Sequence, residues 1–122
     1  EIIMILKISN IKDDMLGVIT AEFIQSKTLI RVFNPQYSDV RDKYTIQIGD
    51  KHMMDEIGQY LNHNCNPNSE IKDNKGVPCL YAIKDIDAND EITFNYNTTE
   101  EVLSNPFYCD CHNKLIKGVP HE

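Results

Sequence analysis

The chain has 122 residues, which is enough for one small domain and too few for two. It carries a net charge of -7 with 41% hydrophobic residues, so it is not expected to bind nucleic acid through phosphate contacts, and a basic protein tail is a more suitable partner. No apolar run is long enough to span a membrane, and no cleavage site follows the apolar start. We therefore expect an intracellular protein, in the cytoplasm rather than the nucleus, without a membrane partner.

Most of the elements predicted along the chain are short strands. Residues 2–8 are apolar and predict a buried first strand, and the polar residues 10–14 predict a turn after it. Branched and aromatic residues favour strands in five further segments: 16–20, 28–33, 44–48, 77–83 and 91–96.

Helices are predicted at only two places. Apolar residues at helical spacing favour a short helix over residues 53–61, and a capping-box pattern at residues 98–101 favours the start of another. Four asparagines and a proline make residues 62–68 irregular, and residues 114–122 are expected to be loose because they lack apolar periodicity. The charged runs at 39–43 and 100–101 are typical of solvated faces.

Four short segments resemble the motifs of one protein family. Residues 62–68 read Asn-His-Asn-Cys-Asn-Pro-Asn, which resembles the Asn-His-Ser-Cys-x-Pro-Asn signature of SET-domain lysine methyltransferases, with Asn64 in place of serine. Residues 91–96, Glu-Ile-Thr-Phe-Asn-Tyr, are similar to the Glu-Leu-x-Phe-Asp-Tyr strand of the same family. The segment that begins at Gly17 is a weaker match because Met15 replaces an expected glycine, and residues 107–111 resemble the start of a post-SET tail.

The resemblance implies a mainly β fold, the SET-type β-clip of small curved sheets with a C-terminal pseudoknot and short helices. It implies a SET domain over residues 1–106 and a partial post-SET-like tail over residues 107–122. The implied activity is transfer of a methyl group from S-adenosylmethionine to a lysine side-chain amine in a protein substrate, which we expect to be basic.

The reaction needs few charged groups in the enzyme. The attacking amine must be neutral, whereas free lysine has a pKa of about 10.4. An apolar channel and a positive sulfonium both disfavour the ammonium form, so alignment of the reacting atoms suffices without a strong base. The resemblance assigns the catalytic role to Tyr96, whose hydroxyl orients the amine and accepts weak C–H hydrogen bonds from the methyl. It assigns cofactor binding to Gly17, Asn62, His63 and Phe107. It assigns the substrate channel to Tyr44 and Phe94.

The cysteines that match the zinc site of the family are one ligand short of its set of four. In family members with a full tail, the signature cysteine and three tail cysteines bind zinc. Ile116 stands where the last of them is expected, although His112 or His121 could complete the set. The sequence therefore favours a tail without zinc that docks by packing, with the cysteines as small buried thiols. The three matching cysteines are Cys65, Cys109 and Cys111.

Two functions other than catalysis remain open. A SET-like module that has lost activity and binds proteins is favoured by Met15 and by the incomplete zinc set. Tyr96, Asn62 and His63 favour an active enzyme and weigh more. A zinc-ribbon-like structural module is less well supported because its ligand set is incomplete.

Overall fold

A computed structural model describes residues 5–12, 15–42, 44–100, 103, 106–108 and 115–119. Within these residues the chain forms twelve short strands and two 3-10 turns, Gly58–Tyr60 and Tyr96–Thr98. None of the helices in this part of the chain is long and apolar enough to cross a membrane. The strands are β1 (Leu6–Lys12), β2 (Met15–Thr20), β3 (Leu29–Val32), β4 (Gln36–Ser38), β5 (Ile46–Ile48), β6 (Lys51–Met54), β7 (Asn62–His63), β8 (Ser69–Asn74), β9 (Val77–Ala82), β10 (Glu91–Phe94), β11 (Phe107–Tyr108) and β12 (Leu115–Ile116).

The strands build four small sheets. Their orders are β1-β2-β10-β7, β3-β9-β8, β4-β6-β5 and β11-β12. Every pairing within them is antiparallel except that of β7 with β10, which is parallel and places Asn62 opposite Thr93 and His63 opposite Phe94. This pairing brings the two sequence motifs side by side.

One hydrophobic core receives residues from each of the three larger sheets. Each buried strand residue contributes apolar area that is removed from water, the main favourable term in folding. The loops contribute Ile24 and Ile86, whose backbones form an isolated antiparallel bridge. The core comprises Val18, Ile24, Ile30, Phe33, Ile46, Met53, Leu61, Leu80, Ala82, Ile86, Ile92 and Phe94.

The first strand differs from its prediction. β1 begins at Leu6 and runs through most of the predicted turn, and residues 1–4, 13 and 14 lie outside the described residues. It is not buried, since Ile5, Ile8 and Ile11 are exposed. The reason is its position at the edge of its sheet, where pairing with β2 satisfies the backbone whatever the polarity of the side chains.

The predicted helix over residues 53–61 was wrong. Met53 and Met54 belong to β6, the central strand of its sheet, and helical geometry is confined to Gly58–Tyr60. The carboxylate of Asp55 accepts hydrogen bonds from the backbone N–H groups of Ile57 and Gly58, a local turn that competes with a helix. Met53 is buried in the core from the strand, and Ile57, Tyr60 and Leu61 pack in or against it from the turn, whereas Met54 is exposed. The apolar spacing that favours a helix therefore comes from a strand followed by a turn.

The second predicted helix also differs. The 3-10 turn begins at Tyr96, and the Asn95 side chain caps it by accepting the Asn97 N–H group at 3.0 Å. The Thr98 hydroxyl donates to the carbonyl of Asn95 at 2.6 Å and does not cap a following helix. Glu101 lies outside the described residues.

Two segments predicted to be irregular or loose contain strands. Asn62 and His63 form β7, because the backbone of β10 is available to pair with them. Leu115 and Ile116 form β12 against β11, and Ile116 is fully buried. Both strands depend on partners far away in the chain, which local polarity does not reveal.

Candidate active site

Tyr96 lies at the centre of an aromatic cluster. Its ring centroid is 5.3 Å from that of His63, 5.1 Å from that of Phe94 and 6.0 Å from that of Phe107. His63 and Phe107 are 5.7 Å apart in an edge-to-face arrangement. Residues from both motifs and from the tail, predicted separately, therefore meet at one place.

The hydroxyl of Tyr96 has a defined orientation. It donates its hydrogen to the carbonyl oxygen of Leu61 at 2.7 Å. A phenol has one hydrogen to donate, so its oxygen acts toward any other group as an acceptor. Burial and then the negative charges of Glu100 and Glu91 raise the pKa of Tyr96 well above its ordinary value, so the hydroxyl is neutral at physiological pH.

His63 is held by contacts to both of its ring nitrogens. Nδ1 accepts the backbone N–H of Tyr96 at 3.1 Å. In the neutral ring the proton is therefore on Nε2, which lies 3.1 Å from Sγ of Cys65. The imidazole thus links the first motif to the turn that carries Tyr96.

The side-chain amide of Asn62 is also oriented by its neighbours. Nδ2 donates to the carbonyl of Leu16 at 2.9 Å and to Oε2 of Glu91 at 2.7 Å. Both neighbours are acceptors, so the nitrogen must face them and the amide cannot be reversed. Among the described residues no donor reaches Oδ1, which remains available to accept a hydrogen bond from a ligand.

Gly17 lies in β2 directly against this amide. A Cβ atom at Gly17 would lie 2.5 Å from Oε2 of Glu91, 2.5 Å from Cγ1 of Ile11 and 2.9 Å from Nδ2 of Asn62. Any side chain would therefore displace the pair formed by Asn62 and Glu91. Packing against Asn62 and Glu91 therefore explains why a glycine suits this position of the weaker motif.

A pocket of about 60 Å³, called the channel below, is lined by Phe94, Tyr96 and Phe107 of the cluster. Tyr44 lines it and is 41% exposed, whereas Phe94 is buried in its wall, so both predicted channel residues line it. The remaining wall includes residues that the sequence did not single out as channel residues. They are Asp42, Thr45, Ile46, Gly58, Gln59, Leu61, Glu100 and Leu103.

Glu100 corrects the prediction of a solvated face at residues 100–101. It is only 4% exposed and lines the channel. Its Oε2 accepts the backbone N–H of Gln47 at 2.6 Å and the hydroxyl of Thr99 at 2.8 Å. No local sequence signal marks Glu100 as buried, because its partner Gln47 belongs to β5, far away in the sequence.

The zinc hypothesis falls largely outside the described residues. Cys109, Cys111 and both candidate histidines of the tail lie there. In the part of the chain that the structure describes, no group of three or more His, Cys, Asp or Glu side chains is placed to hold a metal. Cys65 is described, half-buried beside His63, and the metal prediction remains untested.

The chain belongs to the SET-domain family. The sequence pattern of that family matches residues 15–97, which include β2, both motifs and the first two residues of the turn at Tyr96. The mainly β fold predicted from the resemblance is confirmed.

Two curated relatives, both at low identity, are named as histone-lysine methyltransferases. The chain is 27% identical over 119 residues to a "Histone-lysine N-methyltransferase, H3 lysine-4 specific" of Neurospora crassa, covering 88% of this chain and 9% of that protein. A protein of the same name from Chaetomium globosum is also 27% identical over 119 residues, covering 88% of this chain and 11% of that protein. The chain thus spans about a tenth of the length of these relatives.

Solved structures share the fold. A Plasmodium falciparum protein described as a histone methyltransferase superposes with a TM-score of 0.60 at 22% identity, over 75% of this chain and 91% of that one. KRYPTONITE, solved with mCHH DNA, an H3(1–15) peptide and SAH, superposes with a TM-score of 0.68 at 15% identity, over 88% of this chain and 28% of that one. At these identities the likeness shows the fold alone.

Proposed function

We propose that the chain is a protein-lysine methyltransferase that uses S-adenosylmethionine. The observation that carries the proposal is that Tyr96 lines the channel while its hydroxyl hydrogen is directed to the carbonyl of Leu61, another lining residue. The names of the SET-family relatives support the same activity.

The residues around Asn62 suit a zwitterionic nucleoside. Asn62 offers an amide oxygen that no described donor contacts, and Gly17 leaves the backbone of β2 free of a side chain. The half-buried rings of His63 and Phe107 supply flat apolar surface beside it. S-adenosylmethionine supplies an activated methyl group on a sulfonium when it is bound.

The channel residues orient the substrate amine. Phe94 and Leu61 are buried in its wall, which keeps water from a lysine side chain and disfavours the ammonium form. The Tyr96 oxygen accepts an N–H from the amine, or a weak C–H contact from the methyl. Alignment of donor and acceptor in a dry site can supply most of the rate enhancement.

A basic protein tail is the proposed substrate. The chain carries a net charge of -7, and Asp42 adds an exposed carboxylate at the channel. The relatives are named for lysine 4 of histone H3, and KRYPTONITE was solved with an H3 peptide. We therefore propose a histone H3 tail as the first substrate to test.

The test measures binding and transfer separately. Calorimetry with S-adenosylmethionine is expected to show binding, and a tritiated methyl group is expected to appear on lysine in H3 peptides or in a protein mixture. Binding without transfer up to about pH 9–10, where more free lysine is neutral, would favour the inactive binding module. Neither binding nor transfer would refute the proposed function.

A further inference from the structure

Glu91 is a half-buried acid of the second motif that the proposed chemistry does not use. It begins β10, which lies between the strand of Gly17 and the strand of Asn62. Its Oε2 accepts the Nδ2–H of Asn62 at 2.7 Å and would lie 2.5 Å from a Cβ atom at Gly17. Burial, and then the charges of Glu100 and Glu91, raise the pKa of Tyr96, so the charge of Glu91 is felt at the aromatic cluster.

The backbone of Glu91 is held from both sides. Its carbonyl oxygen accepts the Nδ2–H of Asn68 at 2.8 Å, and Oδ1 of the same asparagine accepts the N–H of Thr93 at 3.0 Å. On the other side, Glu91 is paired with Ile19 of β2. The carboxylate is therefore presented to Asn62 from a fixed backbone.

We propose that Glu91 is a positioning residue that makes Asn62 select a positively charged group, the α-ammonium of S-adenosylmethionine. Both hydrogens of Nδ2 are directed to acceptors, the carbonyl of Leu16 and Oε2 of Glu91, so Oδ1 points away from them. A hydrogen bond from an amide to a carboxylate polarises the amide, which makes Oδ1 a stronger acceptor for a charged donor. The ammonium is the cationic hydrogen-bond donor of this cofactor.

The role differs from support of the fold. A residue that only supports the sheet would, when it is replaced, weaken every ligand of the site to the same extent. Loss of the Glu91 charge should instead weaken only ligands that carry the ammonium. The identity of the ligand rests on the proposed function, but binding can be measured without transfer.

The experiment compares two ligands that differ in the ammonium alone. S-adenosylhomocysteine and its desamino analogue, in which hydrogen replaces the α-ammonium, are titrated into the chain by calorimetry. The parent chain is expected to bind S-adenosylhomocysteine about tenfold more tightly, as one charge-assisted contact would give. Glutamine is neutral and can turn either its oxygen or its nitrogen toward Asn62, so Glu91→Gln should reduce the ratio to about threefold or less. The affinity for the desamino analogue should not change.

A double-mutant cycle tests whether Glu91 acts through Asn62. Asn62→Ala should lower the ratio by itself, and Glu91→Gln should then have no further effect on it. The matched control is Asp90→Asn, which removes a negative charge from the preceding residue. Asp90 is exposed, so this variant should keep the parental ratio.

The outcomes separate this proposal from the proposed function. A parent chain that binds both ligands equally would overturn the role of Glu91 and leave the enzyme standing, whereas a parent chain that binds neither would refute both. A parental ratio in a folded Glu91→Gln variant would also overturn it. If that variant does not fold, the same holds for Glu91→Asp, whose carboxylate is one methylene shorter.

Two further results would replace the role of Glu91 by another one. Equal losses for both ligands would mean that Glu91 is structural, and additive effects in the double variant would mean that it contacts the ligand directly. The expected ratios in a chain that transfers no methyl would count against the enzyme and not against Glu91.

Discussion

At the residue scale, the hydroxyl of Tyr96 is proposed to act mainly in the transition state. Tyr96→Phe keeps the ring in its cluster and removes only the hydroxyl that donates to the carbonyl of Leu61. We expect the variant to bind S-adenosylmethionine as before and to transfer methyl at least about a hundredfold more slowly, about 2.7 kcal/mol of barrier. Calorimetry and single-turnover methylation measure the two quantities.

The control for this variant is Tyr60→Phe. Tyr60 packs against the core and does not line the channel, so loss of its hydroxyl should leave turnover near the parental value. If Tyr96→Phe behaved like this control, the hydroxyl would have no catalytic role and Tyr96 would be a core residue.

Also at the residue scale, Gly17 is required by close packing. In Gly17→Ala the new methyl group would overlap Glu91, Ile11 and Asn62, so the amide of Asn62 must shift. We expect weaker binding of S-adenosylmethionine, because Asn62 is displaced, and a loss of no more than about 1 kcal/mol in the free energy of unfolding, since the atoms that meet the new methyl group belong to side chains that can move. Denaturant unfolding and calorimetry measure these effects.

Gly49→Asn is a suitable comparison for Gly17→Ala. Nothing lies within 4 Å of a Cβ at Gly49, and asparagine tolerates its positive φ of 61° better than most residues. This variant should bind the cofactor normally. Equal cofactor affinity in both variants would remove Gly17 from the site.

At the scale of elements, Asp55 fixes the residues that follow β6, up to Gly58 in the channel wall. Its carboxylate forms a two-point ion pair with Arg31, with Nε and the terminal nitrogen each at 3.0 Å, and accepts three backbone N–H groups. Asp55→Asn leaves the guanidinium without its counter-charge, and we expect a loss of about 3–5 kcal/mol in the free energy of unfolding. Asp39→Asn removes an ion pair with Lys51 that is exposed, and should change stability very little.

The same carboxylate gives a pH dependence. Burial raises the pKa of Asp55, but the hydrogen bonds from Arg31, Gly58, Asn34 and Ile57 outweigh it, so the folded-state pKa lies below the ordinary 3.8. The stabilisation is therefore present above pH 3.8 and is lost as the pH falls through the folded-state pKa. Unfolding curves between about pH 2 and 6 should show this acid-dependent loss in the parent chain and a smaller one in Asp55→Asn. Parallel profiles for the two proteins would contradict the assignment.

At the scale of the whole molecule, Ile116 holds the tail strand beside Phe107 of the aromatic cluster. Ile116 is fully buried opposite Phe107, while the backbone of Lys117 accepts the N–H of Leu103 at 2.8 Å. Ile116→Ala should lower the free energy of unfolding by about 2–5 kcal/mol, as expected for a buried isoleucine. It should also weaken binding of S-adenosylmethionine, because Phe107 loses its support.

Leu115 provides the matched control within the same strand. It is 40% exposed, so Leu115→Ala should have a much smaller effect on unfolding and none on cofactor affinity. Equal effects of the two substitutions in denaturant unfolding would show that the tail does not depend on packing at Ile116.

The sequence by itself determined the residues of the aromatic cluster and the kind of fold. Strand segments such as 16–20 and 91–96 are recognisable because branched and aromatic residues dominate them, and local propensity is a property of the segment itself. Tyr96, His63 and Phe107 could be proposed together because the motifs have specific residues at fixed spacing.

Only the tertiary structure decided which elements become partners. β8 is polar and was not predicted, yet it pairs with β9 through a turn in which Lys75 and Gly76 both have positive φ. β7 exists because β10 lies parallel to it, and β12 because β11 lies opposite. Strand pairing satisfies backbone groups from both partners, so a short segment does not encode it alone.

The same reason explains why Glu100 was missed. Its hydrogen-bond partner Gln47 is 53 residues away, and nothing in the local sequence marks a buried carboxylate. Burial of a charge is decided by the groups that surround it, and those groups arrive only when β5, the turn at Tyr96 and the tail are brought together by folding.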